Sequence, residues 1–242
     1  MADSSLDHMR YHRLKRLIGN YCAVPHQQAY LMIKEGRVLV NGERSEPHRK
    51  VSHLDLITVD GKAMDLQQDN IYIIFNKPRG IECTLNRTIG NNLLSVFDHP
   101  QRLFPVGRLD KESEGLLLMM NDGDLYHEIA HAESQKEKEY YVEVHKPVTE
   151  EFVQQMKTGV KILNTVTDPC EVFSVPENNQ AFRIILKQGM NRHIRRMCYN
   201  LGFSVHKLVR TRIMHLHLGE LKPGEWRELN ETELQQLIAL KS

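Results

Sequence analysis

His127-Glu128-Ile129-Ala130-His131 sets two imidazoles four residues apart with a carboxylate between them. On a helix that spacing puts both rings on one face, the H-E-x-x-H arrangement in which zinc is held and the glutamate acts as general base. A third ligand and the downstream H-x-x-G-x-x-H extension of one large class are missing, and with 13 histidines in the chain a chance match is ordinary. The pattern is read as a surface helix, and no metal is assigned. Neither G-x-x-x-x-G-K-[ST] nor G-x-G-x-x-G occurs, nor a G-x-S-x-G elbow, so ATP, NAD and acyl-serine chemistry lose support. The remaining candidate is Asp110, which closes Phe104-Pro105-Val106-Gly107-Arg108-Leu109-Asp110 and precedes Lys111-Glu112-Ser113-Glu114-Gly115-Leu116-Leu117. A carboxylate in a loop flanked by Gly and Pro, leading into an apolar strand, is well placed to face a cleft. Aspartate also simply closes turns and caps helices. Spacing alone leaves both readings open.

Charge narrows the choice of partner. From Asn178 to Gly219 there is no Asp or Glu, while Arg183, Lys187, Arg192, Arg195, Arg196, Lys207, Arg210 and Arg212 make the segment +8. The total is +1, so the rest of the chain is −7. Such a block is an electrostatic footprint for phosphate, unless it is a face paired internally with carboxylates. His193, His206, His215 and His217 add donors that become cationic below about pH 6.5.

These groups must be held by elements that the pattern outlines. A length of 242 residues, 40% apolar, suits one large or two unequal domains. Leu14, Leu17 and Ile18, then Ala29, Met32 and Ile33, recur at helical spacing, and Gly36 closes the second helix. Arg37–Val40 and Leu54–Val59 read as strands, with Asn41-Gly42 and Asp60-Gly61 as turns. Lys62 to Asn70 reads as a polar linker. The run Ile71–Phe75 opens a larger domain and is broken by Asn76-Lys77-Pro78-Arg79-Gly80. Further strands are expected at Leu116–Met119, Tyr140–Val144, Phe182–Leu186 and Ile213–Leu218. Helices are expected at Leu125–His131, Glu150–Met156, Arg192–Leu201 and Glu231–Leu240. Strands and helices intersperse without a β-α-β beat, which favours α+β. No run approaches the ~18 apolar residues of a membrane helix, so no membrane association is expected. The start, MADSSLDHMRYHR, lacks the apolar region of a secretory leader. Cys22, Cys83, Cys170 and Cys198 lie far apart, as reduced cytoplasmic thiols do.

Gly107-Arg108-Leu109-Asp110, with Ser113-Glu114-Gly115-Leu116-Leu117 behind it, resembles the signature of the RNA pseudouridine synthases of the RsuA/RluA group. Asn76-Lys77-Pro78 resembles the opening motif of that family, and Lys138-Glu139-Tyr140 its K-x-Y motif. Gly189-Met190-Asn191-Arg192-His193-Ile194-Arg195-Arg196-Met197 resembles its late basic motif. Leu208–Ile213 and Gly224-Glu225-Trp226-Arg227-Glu228-Leu229 are similar to its C-terminal portion. The likeness runs from residue 71 to about 238 and favours the RsuA family, RluF-type branch. Residues 10–60 resemble an S4-type RNA-binding domain, with Val24–Ala29 where the family usually carries a Ser-Arg-Arg stretch.

The resemblance implies an α+β protein in which a small S4-like α/β domain (1–65) precedes a catalytic domain (66–242) built on a mixed, mainly antiparallel sheet. It implies isomerisation of uridine to pseudouridine in structured RNA, in 23S rRNA or a pre-ribosomal particle, with a tRNA anticodon as a further target. That reaction exchanges the N1–C1′ bond for C5–C1′ and calls for no cofactor and no metal. Asp110 is implied as the catalytic carboxylate, acting at the sugar or the base. Arg195 is implied as its ion-pair partner, Tyr140 as a ring packed on the target base, and Arg108, Arg196 and Lys77 as RNA contacts. Nothing in the sequence demands more than a cytoplasmic monomer. The competing reading is a non-catalytic S4-domain RNA-binding protein using the same basic block.

Overall fold

Two turn dipeptides organise the first part of the chain. Asn41-Gly42 and Asp60-Gly61 both adopt left-handed backbone, with φ of 55° and 83°, then 49° and 78°. Paired positive φ values match the twist of a two-residue hairpin. The computed structural model describes residues 12–239 except 23, 53, 65–69, 124, 127, 128 and 130–135. It divides into two compact units, residues 1–70 with 100–102, and residues 71–99 with 103–242.

In the first unit β1 (His12–Arg13) leads into α1 (Leu14–Tyr21), followed by α2 (His26–Lys34). The strands β2 (Val38–Val40), β3 (Glu43–Arg44), β5 (Ile57–Val59) and β6 (Lys62–Ala63) form a sheet of order β3-β2-β5-β6, while β4 (Lys50–Val51) pairs with β1. Leu14, Ile18, Ala29, Met32, Ile33, Val38, Val40 and Ile57 make its core. The strand expected from Leu54 starts only at Ile57. Asp55 folds back to accept the Ser52 N–H at 2.7 Å, which bends the chain before the ladder begins. Lys62–Ala63 is hairpin strand rather than linker, and residues 65–69 of the expected linker lie outside the described residues.

The second unit is α+β. Its sheet has the order β13-β14-β10-β15-β9-β7-β17, from β7 (Tyr72–Lys77), β9 (Glu114–Met120), β10 (Lys138–Val144), β13 (Glu171–Ser174), β14 (Ala181–Leu186), β15 (Val205–Ile213) and β17 (Trp226–Glu228). β8 (Phe104–Val106) pairs with β9, and β16 (Leu216–His217) with β15. A separate hairpin joins β11 (Lys161–Ile162) to β12 (Thr165–Val166). β7 and β9 are buried on both faces, which is why they read as unbroken apolar runs. Helices α3 (Glu150–Thr158) and α4 (His193–Asn200) cover the β10–β14 half through Phe152, Met156, Ile194 and Met197. Helix α5 (Glu231–Ile238) packs Leu237 with Leu116, Leu118 and Ile213. No helix among the described residues is long and apolar enough to cross a membrane.

Two expectations need correcting here. β7 runs on through Asn76 and Lys77 and breaks only at Pro78, because both residues pair with β9, opposite Leu116 and Gly115. The strand expected at Ile213–Leu218 is a hairpin, bent at Met214 (φ 53°), whose N–H is taken by the Glu137 carbonyl. The long strand before it, Val205–Ile213, lacked a clean alternation because it carries a bulge. In the helix expected at Leu125–His131, Leu125, Tyr126 and Ile129 are helical, but His127, Glu128, Ala130 and His131 of the H-E-x-x-H pattern lie outside the described residues.

All neighbours in the large sheet are antiparallel except β9 and β15, which run parallel with Val209 opposite Glu114 and Arg210 opposite Gly115. That seam joins the two halves of the sheet. The Asp110 loop enters β9 at the seam.

Candidate active site

At this seam lies a cavity of about 750 Å³, lined among others by Arg108, Asp110, Ser113, Tyr140, His193 and Arg210. Each wall has a local cause. The Ser113 N–H donates to the Asp110 carbonyl at 3.0 Å, closing a tight turn just before β9. The Gly80 N–H donates to the Lys111 carbonyl at 2.8 Å, tying the loop after β7 to the same turn. Asp110 is thereby held half-exposed at the mouth of a buried strand. Its carboxylate has no ion-pair partner within bonding distance among the described residues, and Asp110 lines the cavity. Tyr140 comes from β10. The register between β10 and β15 slips between Glu139 and Tyr140, pairing Glu139 with Arg212 and Tyr140 with Arg210. Thr211 is the extra residue of this bulge, a device that re-aims side chains beside sites.

The other expected residues stand in three different positions. Arg108 is exposed and lines the cavity. Arg195 does not form the expected ion pair with Asp110. Its Nη2 donates to the Glu112 carbonyl at 2.7 Å and its Nη1 to the Val205 carbonyl at 3.2 Å, main-chain acceptors that the ends of β9 and β15 leave open. Burial, then the Arg192 and Arg79 guanidiniums, ease its hold on its proton, with Asp110 and Glu112 opposing. Asp110 is near enough to be felt but is not bonded. Arg196 points along the helix instead of into the cavity, its Nε and Nη2 held by the carbonyl and side chain of Asn191.

Lys77 is the clearest correction. It is fully buried rather than presented to phosphate, and its Nζ donates to the carbonyls of Pro78 (2.7 Å) and Ile81 (2.8 Å). Burial pulls its pKa down from 10.5 to about 8, against smaller pulls from Cys83, Glu114, Glu82 and Asp110. A neutral amine keeps two N–H groups, enough for both carbonyls. Because the folded pKa lies below the unfolded one, the unfolded chain binds more protons between pH 8 and 10.5, and stability must rise with pH through that window. In Lys77→Met this rise should vanish. The variant should also lose about 1–3 kcal/mol near neutral pH, the cost of leaving buried carbonyls without donors. Urea unfolding of both proteins at pH 7.5 and 10 measures each effect.

Sequence reasoning did not select Arg210, Ser113 or His193, which line the cavity. Arg210 is only 1% exposed; its Nε donates to the Leu116 carbonyl at 2.8 Å and its Nη2 has no partner. Ser113 Oγ and both ring nitrogens of His193 are likewise buried without partners in good geometry. Buried polar atoms are normally bonded, so such a group around one cavity marks where a polar ligand completes the structure. Arg210 was visible as part of the basic block, but only its register opposite Tyr140 and Gly115 reveals its place. Of the eight cations in that block, Arg183 and Arg212 pair with Glu139 and Glu137, while the other six have no carboxylate within ion-pair distance among the described residues. Arg192 and Lys207, exposed and without such a partner, are open to an external polyanion.

Comparison with known proteins names that polyanion. Residues 71–200, which build most of this cavity, match the family described as RNA pseudouridylate synthase. The chain is 42% identical over 230 residues to the dual-specificity RNA pseudouridine synthase RluF of Escherichia coli, covering 94% of this chain and 79% of that one. It is 31% identical over 235 residues to the ribosomal large subunit pseudouridine synthase B of Bacillus subtilis, covering 94% and 96%. A solved structure described as a pseudouridylate synthase superposes with a TM-score of 0.65 at 27% identity, over 93% of this chain and 99% of that one. The chain belongs to the RNA pseudouridylate synthase family and isomerises uridine in RNA.

Proposed function

We propose that this enzyme converts uridine in large-subunit rRNA, within 23S rRNA or a pre-ribosomal particle, and takes a tRNA anticodon as a second target. The support is the likeness to one relative named for the large subunit and to another named for dual specificity. The observation that carries the catalytic assignment is the cavity, lined together by one unpaired carboxylate, Asp110, the Tyr140 ring and Arg210 with its unsatisfied Nη2. In the reaction the N1–C1′ bond breaks, the uracil turns, C5–C1′ forms, and the proton lost from C5 is balanced by one gained at N1. Asp110 supplies the charged carboxylate for this exchange. Tyr140 stacks on the uracil, a contact worth roughly 1–3 kcal/mol in comparable single-stranded sites. Arg108 and Arg196 contact phosphate, Arg210 forms an electropositive floor, and Lys77 shapes the loop after β7. A paired uridine must first be extruded at a cost of a few kcal/mol, which backbone contacts offset.

Arg195 is then a positioning residue, clamping Glu112 to Val205 and so fixing the turn that bears Asp110. Its two nitrogens reach two carbonyls at once, a span that one ammonium cannot reproduce. Arg195→Lys should lower kcat about tenfold or more while leaving RNA affinity within about threefold, an effect on the order of 1.4 kcal/mol. Single-turnover rates at saturating RNA check this, and a near-normal rate would show that charge alone suffices.

The first unit acts as an S4-like RNA-binding domain, and the enzyme works as a cytoplasmic monomer. Removing residues 1–65 should weaken RNA binding more than it slows chemistry at saturation, and should flatten the fall of affinity with salt. An unchanged affinity and salt slope in the truncated chain would reject that role. Mapping pseudouridine in cellular RNA with and without this protein tests the whole assignment. Loss of sites in large-subunit rRNA is expected; an unchanged map would refute the substrate.

A further inference from the structure

His193 is the first residue of α4, 7% exposed, and it lines the cavity that holds Asp110. The residue before it, Arg192, has left-handed backbone (φ 52°, ψ 35°), a conformation that costs a non-glycine residue roughly 1–2 kcal/mol. This kink lets the helix start with an exposed Arg192 and a buried imidazole side by side on the cavity wall. Neither ring nitrogen has a hydrogen-bond partner in good geometry, although the Gln188 carbonyl lies close enough to act on the ring. Burial pushes the imidazole pKa down, against smaller pulls from the Gln188 carbonyl and Asp168. The ring is therefore neutral at pH 7 and offers one N–H donor and one bare acceptor nitrogen. A buried imidazole without a well-formed hydrogen bond is a cost to the free protein, and a phenylalanine of similar shape would avoid it. The same geometry is productive if a ligand supplies the missing bonds.

We propose that His193 reads the bound nucleotide, hydrogen-bonding a neutral group that both donates and accepts, either a ribose 2′-hydroxyl or the imide edge of a uracil. The proposal rests on the assignment of this cavity as the uridine site. His193 has no role in bond exchange; it contributes affinity and selectivity, while the carboxylate does the chemistry.

The test is steady-state and single-turnover kinetics of full-length wild type, His193→Phe and His193→Gln on one RNA whose conversion by the wild type has been established. If the wild type converts no RNA, the family assignment of the cavity fails, which is a different outcome from failure of the role given to His193. His193→Phe should raise KM about tenfold and leave kcat within about twofold. Its thermal midpoint should be equal to or up to about 2–4 °C above wild type, since a buried unpartnered group has been removed. His193→Gln, which keeps a donor and an acceptor, should restore KM to within about threefold. RNA carrying 2′-deoxy sugars, and separately RNA carrying N3-methyluracil, should show which group is read. The modification that removes the partner of His193 should weaken wild type but cost His193→Phe nothing further. An unchanged KM in His193→Phe overturns the proposal. So does a lowered midpoint in both variants, which would make His193 structural, and so does a penalty from both RNA modifications as large in His193→Phe as in wild type.

Discussion

Asp110→Asn is expected to reduce pseudouridine formation at least about 10³-fold while RNA affinity stays within a few-fold of wild type. A positioned acid or base commonly contributes 10²–10⁴-fold, and a group that also bonds covalently contributes more. The amide keeps the shape of the carboxylate, and the native side chain makes no ion pair whose loss would loosen the fold. The turn that presents it is held by main-chain bonds, Ser113 N–H to the Asp110 carbonyl and Gly80 N–H to the Lys111 carbonyl, and neither depends on the side chain. Folding and binding should therefore survive, and only the bond exchange should fail. The measurement is single-turnover conversion at saturating RNA beside a filter-binding titration, with deamidation back to Asp excluded by mass spectrometry. Turnover within tenfold of wild type would remove Asp110 from the chemistry. A parallel loss of affinity would instead make it a binding residue.

The elements that could be read from the sequence are those whose cause is local. Asn41-Gly42 and Asp60-Gly61 give hairpins because their backbone preference is intrinsic. Glu150–Met156 is a helix capped by Thr149, whose Oγ1 accepts the Phe152 N–H at 3.1 Å. The last helix starts at Glu231 as expected, with Asn230 and Glu233 forming a reciprocal capping box. The elements that escaped are set by distant partners. β17 (Trp226–Glu228) exists because it pairs with β7 some 150 residues earlier, and nothing within its three residues announces a strand. The site divides in the same way. Asp110, Arg108 and Tyr140 carry motifs and meet in the cavity. Lys77 belongs to a motif too, but a motif records that a residue type is needed and not whether it faces ligand or backbone. Its apolar neighbours Ile74 and Phe75 are buried with it, and the ammonium finds carbonyls of its own loop. The ion pair expected between Arg195 and Asp110 is replaced by carbonyl contacts for a related reason. Open main-chain acceptors at strand ends follow from register, and register is fixed by the whole sheet.

Gly115→Ala should be the most damaging single methyl addition in the second unit. Gly115 stands at φ 109°, and a Cβ built there would meet the backbone oxygen of Arg210, come within 2.6 Å of its nitrogen, and lie 3.0 Å from Val209 Cγ1. Two of the three obstacles are main chain of the paired strand and cannot rotate away. The seam between β9 and β15 would have to open where Arg210 lies opposite Gly115, carrying with it the turn that bears Asp110. Unfavourable backbone costs roughly 1–2 kcal/mol and overpacking typically 1–3 more, giving about 2–5 kcal/mol. Gly80→Ala separates the two contributions. Its φ of 86° carries the backbone penalty, but a Cβ there meets nothing within 4 Å. That variant should lose about 1–2 kcal/mol and keep most of its activity. Gly115→Ala should unfold at distinctly lower urea and, where still folded, convert uridine at least about tenfold more slowly, because the carboxylate and the Arg210 floor no longer keep their register. Equal destabilisation in the two variants would mean that β15 yields to the methyl group, and that the close approach of the two strands is not what sets the geometry of the site.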